Sequence, residues 1–184
     1  SELNREEVNI ITVEDPVEAN VDGVNQVQVN VKADLTFANA LRSILRQDPD
    51  IIMIGEIRDG ETAGIAVKAS ITGHLVISTL HTNSTAASIT RLIDMGVEPY
   101  LIGDSVVGII AQRLVRKLCP KCRKAREATD QEKKLLMVPA SMPQTVYEPV
   151  GCEDCGGIGY RGRTAIYEIM PVTAKLRNRI HDKV

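Results

Sequence analysis

The sequence predicts an α/β protein, a mainly parallel sheet flanked by helices, with a small tetracysteine element after it. Three observations carry this reading. Short apolar runs alternate with runs of helical period through the first half of the chain. The clearest of these apolar runs, Ile51-Ile52-Met53-Ile54, is apolar on both faces, as a strand in the middle of a parallel sheet should be. Four cysteines fall in two C-x-x-C pairs further on.

Bulk properties set the limits. With 184 residues, 43% hydrophobic and 25% charged, the chain can bury a core without disulfides. A net charge of -2 and 3% aromatics, with no Trp, give no support to nucleic-acid binding through charge or base stacking. No stretch has the apolar length of a membrane span. Residues 1–7 are polar and acidic, unlike a signal peptide, and lack a Met, so the start reads as a cut inside a longer protein. Cytosolic residence is then the default, and there paired C-x-x-C spacing indicates a metal before disulfides.

The elements follow in order. Residues 9–13 form a strand closed by Glu14-Asp15-Pro16. Residues 24–31 alternate in polarity, as a half-buried strand or hairpin arm does. Thr36 caps a helix running to about Gln47, with Phe37, Ala40, Leu41, Ile44 and Leu45 on its apolar face, and Asp48-Pro49-Asp50 breaks it. After the strand at 51–54, a helix spans 61–72 with Gly73 as its C-cap. Residues 75–80 read as another buried strand. Asn83 or Ser84 caps a helix to Met95, ended by Gly96, and Pro99 opens a further helix to about Leu114. From Arg113 the character changes. Arg113, Arg116, Lys117, Lys121, Arg123, Lys124 and Arg126 crowd around the first cysteine pair. A short helix at 130–137, a Pro-containing connection at 139–149, a Gly-rich turn, a strand at 164–169 and a helix after Pro171 complete the chain. The expected domains are residues 1–117, 118–158 and 159–184.

Three of the strands end in chemically loaded residues. The first delivers Glu14, Asp15 and Glu18; the second Gly55, Glu56, Arg58 and Asp59; the third Ser78, Thr79, His81, Thr82 and Asn83. In an open parallel sheet, ligands bind beyond the carboxyl ends of the strands. Each cluster alone is ordinary, since polar residues bound most strands and a lone His is usually structural. Together, on one edge, they make a site where carboxylates orient water or hold Mg²⁺ and a His and hydroxyls touch phosphate. An apolar strand ending in a carboxylate follows Walker B logic, here as Gly55-Glu56. Its required partner, G-x-x-x-x-G-K-[ST], is absent, and no Gly-Lys pair occurs anywhere in the chain.

Cys119-Pro120-Lys121-Cys122 and Cys152-Glu153-Asp154-Cys155 have the spacing of a Zn²⁺ site. Four thiolates close the coordination sphere, so such a site is structural. The surrounding Lys and Arg offset its residual negative charge, and Gly156, Gly157 and Gly159 let the backbone curl toward sulfur. The basic cluster reads as a solvated, charge-balancing face, or else as a contact for acidic headgroups or nucleic acid. Redox chemistry fits poorly, because two pairs suit one metal better than two redox centres.

These residues resemble a known family. Residues 11–18, Ile-Thr-Val-Glu-Asp-Pro-Val-Glu, resemble the acidic "Asp box" of the type II secretion and type IV pilus-assembly ATPases. Residues 41–59 resemble their Walker B region and residues 72–83 their His box, and residues 91–99 and 112–114 also match. The likeness covers nearly the whole chain from Asn9. It implies an incomplete RecA-like ATPase domain in the first expected range, taken from a cytoplasmic hexamer that binds ATP and Mg²⁺. The parent would move pilin or pseudopilin through an inner-membrane platform protein, and so lie peripheral to that membrane; nucleic acid is not an expected partner. Glu14 matches the glutamate assigned as general base, Glu56 the Walker B glutamate, His81 the His-box residue near the γ-phosphate and His74 its companion. Asp15, Glu18, Gly55, Arg58 and Thr79 fall in the same nucleotide- and Mg²⁺-associated motifs. The resemblance places the P-loop shortly upstream of Ser1, so this chain alone is expected to hydrolyse no ATP. Assembly ATPases carry a tetracysteine element and retraction ATPases lack it, which tilts the reading toward assembly or secretion.

Two other classes compete. Cys152-Glu153-Asp154-Cys155-Gly156-Gly157-Ile158-Gly159 fits the C-x-x-C-x-G-x-G unit of zinc-dependent interaction modules, though only one full copy is present. A nucleic-acid-binding zinc protein would use the basic cluster, against the neutral overall charge.

Overall fold

A computed structural model describes residues 3–182; the outermost residues of the first and last expected domain ranges, 1–2 and 183–184, lie outside it. The chain divides into two compact units, Ser1–Ala111 with Glu168–Val184, and Gln112–Tyr167.

The larger unit is built on a four-stranded parallel sheet. Its strands are β1 (Ile10–Glu14), β2 (Asn25–Gln28), β3 (Ile51–Ile54) and β4 (Leu75–Ser78), in the order β2-β1-β3-β4. Between them run α1 (Phe37–Ile44) and α2 (Gly60–Ile71), and after β4 come α3 (Thr85–Asp94) and α4 (Pro99–Ser105). Ile11, Val13, Ile52, Ile54 and Val76 point to one face of the sheet and join Leu41, Ile44, Ala63, Ala66, Leu92 and Ile102 in a single core. Ile52, Ile54, Leu41 and Ile102 are fully buried. The helix starts are capped as the side chains dictate. Thr36 accepts from the Asn39 N–H, Asp59 from Thr62 and Ser84 from Ala87. Gly60 is a packing requirement, because a Cβ there would sit 2.1 Å from the Met95 carbonyl oxygen.

Three expectations are corrected. The helix opened by Pro99 stops at Ser105 rather than near Leu114, and residues 108–118 form a strand, β5 (Gly108–Leu118). Val106 turns extended, and the Val106-Val107 and Ile109-Ile110 pairs around Gly108 favour strand over helix. The strand at 24–31 is shorter and pairs parallel to β1, so it is not a hairpin arm. The third strand is not buried: Leu75 and Ile77 are 42% and 43% exposed. β4 is the last strand of its sheet among the described residues, and only its Val76 side packs on the core.

The smaller unit begins along β5, which pairs with β8 (Tyr160–Pro171) as a two-stranded ribbon. A second antiparallel pair joins β6 (Lys124–Glu127) and β7 (Thr145–Glu148), with α5 (Asp130–Leu135) between them. Thr129 and Glu132 form a reciprocal capping box at the start of α5. Arg126 holds Glu132 through two hydrogen bonds, 2.7 and 2.6 Å, and reaches Glu148 at 3.3 Å. The buried apolar residues of this unit are only Cys119, Ala128 and Cys155. β8 leads back to α6 (Ala174–His181), which belongs to the larger unit. No helix is long and apolar enough to cross a membrane among the described residues.

Candidate active site and metal centre

The parallel register brings three strand ends to one edge. Val13 pairs with Ile54, and Ile54 with Ser78. The ladder continues past the strands: Gly55 N–H donates to Val13 O at 2.8 Å and Ile57 N–H to Thr79 O at 3.0 Å. The Thr79 hydroxyl donates to Gly55 O at 2.6 Å, fixing the turn that presents Glu56.

Glu56 is the centre of this edge. Its side chain is 13% exposed, and its carboxylate accepts from Arg58 on one oxygen and faces His81 Nε2 at 3.1 Å on the other. Arg58 also lies 4.0 Å from Asp15. The Arg58 guanidinium, with help from His81, holds the Glu56 carboxyl below the usual carboxylate range against the opposing effect of burial. A carboxylate kept ionised beside a His and an Arg can accept a proton from water or bind a cation.

Glu14 sits at the end of β1, but its carboxylate is engaged elsewhere. It accepts from Thr12 Oγ1 at 2.6 Å and from Gln26 Nε2 at 3.0 Å. With Glu18, these residues line a cavity of about 350 Å³ whose apolar walls include Ile10, Met53 and Ile77. Thr12 and Gln26 were not legible as site residues; both depend on the register that sets them opposite each other. The structure thus brings together Glu56, Arg58, His81, Thr79, Gly55 and Asp15, and places Glu14 with Glu18 in an adjoining group. His74 lies outside both. It precedes β4, at the opposite end from Thr79, with Nδ1 3.0 Å from Ala69 O.

In the smaller unit the four cysteines converge. Their sulfurs all lie within 4.8 Å of one another, with Cys119–Cys152 and Cys122–Cys155 at 3.9 Å and Cys152–Cys155 at 3.7 Å. Four sulfurs at about 2.3 Å from a tetrahedral Zn²⁺ are about 3.8 Å apart, so the cluster fits that ion. The Gly151 N–H donates to Cys122 Sγ at 3.3 Å, and the Cys152 and Gly159 N–H groups donate to Cys155 Sγ at 3.2 and 3.3 Å. Gly159 has φ +74, a conformation glycine adopts without strain. Burial pushes the Cys152 thiol up to about 11. Burial acts the same way on Cys155, but the N–H groups of Cys152 and Gly159 outweigh it and bring that thiol down to about 6. Lys121 pairs with Asp154 between the two halves of the cluster.

The family described as "Type II/IV secretion system protein" matches residues 1–184. The chain is 55% identical over 181 residues to type II secretion system protein E of Aeromonas hydrophila, covering 98% of this chain and 36% of that protein. It is 56% identical over 177 residues to the type IV pilus assembly ATPase PilB of Myxococcus xanthus, covering 93% of this chain and 31% of the relative. The crystal structure of the pilus retraction motor PilT with bound ADP matches with a TM-score of 0.68 and 31% identity, over 99% of this chain and 44% of PilT. The chain therefore spans about a third of the length of its secretion and pilus relatives. It belongs to the type II/IV secretion system protein family.

Proposed function

We propose that this chain is the C-terminal share of a hexameric cytoplasmic ATPase that powers pseudopilus or pilus assembly by ATP hydrolysis. The observation that carries the reading is Glu56, ionised at a strand end and held between Arg58 and His81, in a chain of this family. Bound ATP with Mg²⁺ would supply the phosphoryl group and the charge that neutralises it. The chain's own residues divide the remaining work. Glu56 orients the attacking water or the cation, and His81 would contact the γ-phosphate. Glu14 acts as base once released from Thr12 and Gln26. Thr79 fixes the Gly55-Glu56 turn, and Asp15, Glu18 and Arg58 set the surrounding charge.

The open side of β4 supports the same reading. A strand edge with no partner among the described residues, with exposed Leu75 and Ile77, suits a sheet that continues with a strand from upstream, where the P-loop would lie. Zn²⁺ on Cys119, Cys122, Cys152 and Cys155 would hold the smaller unit together structurally, as in assembly motors. The inner-membrane platform protein is the partner that receives the work.

The test is a pair of measurements. This chain alone should show no ATP turnover, and a chain extended upstream through the P-loop should hydrolyse ATP. Turnover by the short chain, or none by the extended chain, would overturn the reading.

A further inference from the structure

We propose that Glu168 is a positioning residue for the loop that carries His81. The inference rests on the functional reading above and adds to it a residue far from the three strand-end motifs. Glu168 lies on β8 and is the first residue of the larger unit when the chain returns from the smaller one. Its carboxylate accepts a hydrogen bond from the Thr85 hydroxyl, 83 residues away in sequence. Thr85 is 2% exposed and is the first residue of α3, where the helix presents unsatisfied N–H groups and the positive end of its dipole. An anion is favoured there, and a buried hydroxyl there needs an acceptor.

The contact bears on His81 through a short hydrogen-bonded segment. Ser84 caps α3 through the Ala87 N–H, the Ser88 hydroxyl donates to Ser84 O at 3.2 Å, and the Thr82 and Ser88 hydroxyls lie 2.7 Å apart. Residues 82–88 are thus tied together, and Glu168 anchors them at Thr85. His81 is the residue immediately before. Its side chain is 85% exposed, so packing does not hold it, and its distance of 3.1 Å to Glu56 is set by where the loop places its backbone. Glu168 acts on the site only through this chain of contacts. It touches no reacting atom.

The test uses the upstream-extended chain. Glu168→Met and Thr85→Val should each lower kcat on the order of 10-fold while leaving KM for ATP nearly unchanged, because they misplace a group rather than remove a binding contact. Thr85→Ser, which keeps the hydroxyl, should retain kcat. In a His81→Ala background, Glu168→Met should add nothing further, as expected of residues acting through one another. Independent, multiplying losses from His81→Ala and Glu168→Met would overturn the inference. So would an unchanged kcat in a folded Glu168→Met protein. If Glu168→Met does not fold, Thr85→Val carries the test; if neither folds, the contact is structural and the inference fails. Hydrolysis that survives Glu56→Gln would instead fail the functional reading, so the two failures are distinguishable.

Discussion

The two units hold themselves together by different means. The larger one buries Leu41, Ile52, Ile54 and Ile102 completely in one apolar core, the ordinary solution for an α/β layer. The smaller one exposes Leu114, Leu135, Met137, Met142, Val150 and Ile158 and buries little besides Cys119, Ala128 and Cys155. A unit of this size with so few buried apolar groups needs another source of stability, and the convergent thiols are the one at hand. Its charge agrees: Gln112–Tyr167 carries eleven Lys and Arg against six Asp and Glu, suited to a Zn²⁺–tetrathiolate centre that keeps two negative charges. One part of the chain therefore folds around hydrocarbon, the other around four convergent thiols spaced to hold a metal ion.

The largest effect is expected from stripping any metal that the four thiols hold. Chelation, or Cys155→Ser, should strip hydrogen-exchange protection from residues 112–167 and leave the sheet of the larger unit protected. The loss should be complete, since structural Zn²⁺ contributes about 10–16 kcal/mol in small zinc modules. Protection of residues 112–167 that survives in full would show an apolar core after all. The complementary change is Ile52→Ala, expected to cost about 2–5 kcal/mol through a cavity in the larger unit. Its melting transition should fall while the metal content of the protein stays the same.

A smaller effect comes from Glu132, whose Arg126 partner and Thr129 N–H hold its carboxyl down at about 2, from an ordinary 4.5. A depressed carboxylate stabilises the fold fully above its unfolded value and loses that contribution as pH falls through the folded one. The stability difference between the native protein and Glu132→Gln should therefore be constant above about pH 5 and shrink toward zero near pH 2. A difference that is independent of pH over this window would remove Glu132 from the account of the α5 cap.

What the sequence made legible follows the same division. The strand runs at 9–13 and 51–54 and the carboxylates that end them were readable because buried parallel strands are apolar and stop at polar residues. The cysteine centre was readable from spacing alone. The β6–β7 pair was not, because Lys124-Ala125-Arg126-Glu127 and Thr145-Val146-Tyr147-Glu148 show little apolar alternation; ion pairs such as Arg126–Glu148 hold them instead. The first part of β5, up to about Leu114, suits helix as well as strand in the sequence, because its apolar residues fit either period. The hold of Thr12 and Gln26 on Glu14, and of Glu168 on Thr85, depends on register and on long sequence separation, which no local pattern carries.

The central claim is that ATP hydrolysis requires the strand-end carboxylate of Glu56. The most direct measurement is ATP hydrolysis by the upstream-extended chain with native Glu56 and with Glu56→Gln, alongside nucleotide binding by both. Loss of hydrolysis by a factor on the order of 100 or more with binding retained is the expected result. Hydrolysis unchanged by Glu56→Gln would contradict the account and move the zinc-dependent interaction module to the front.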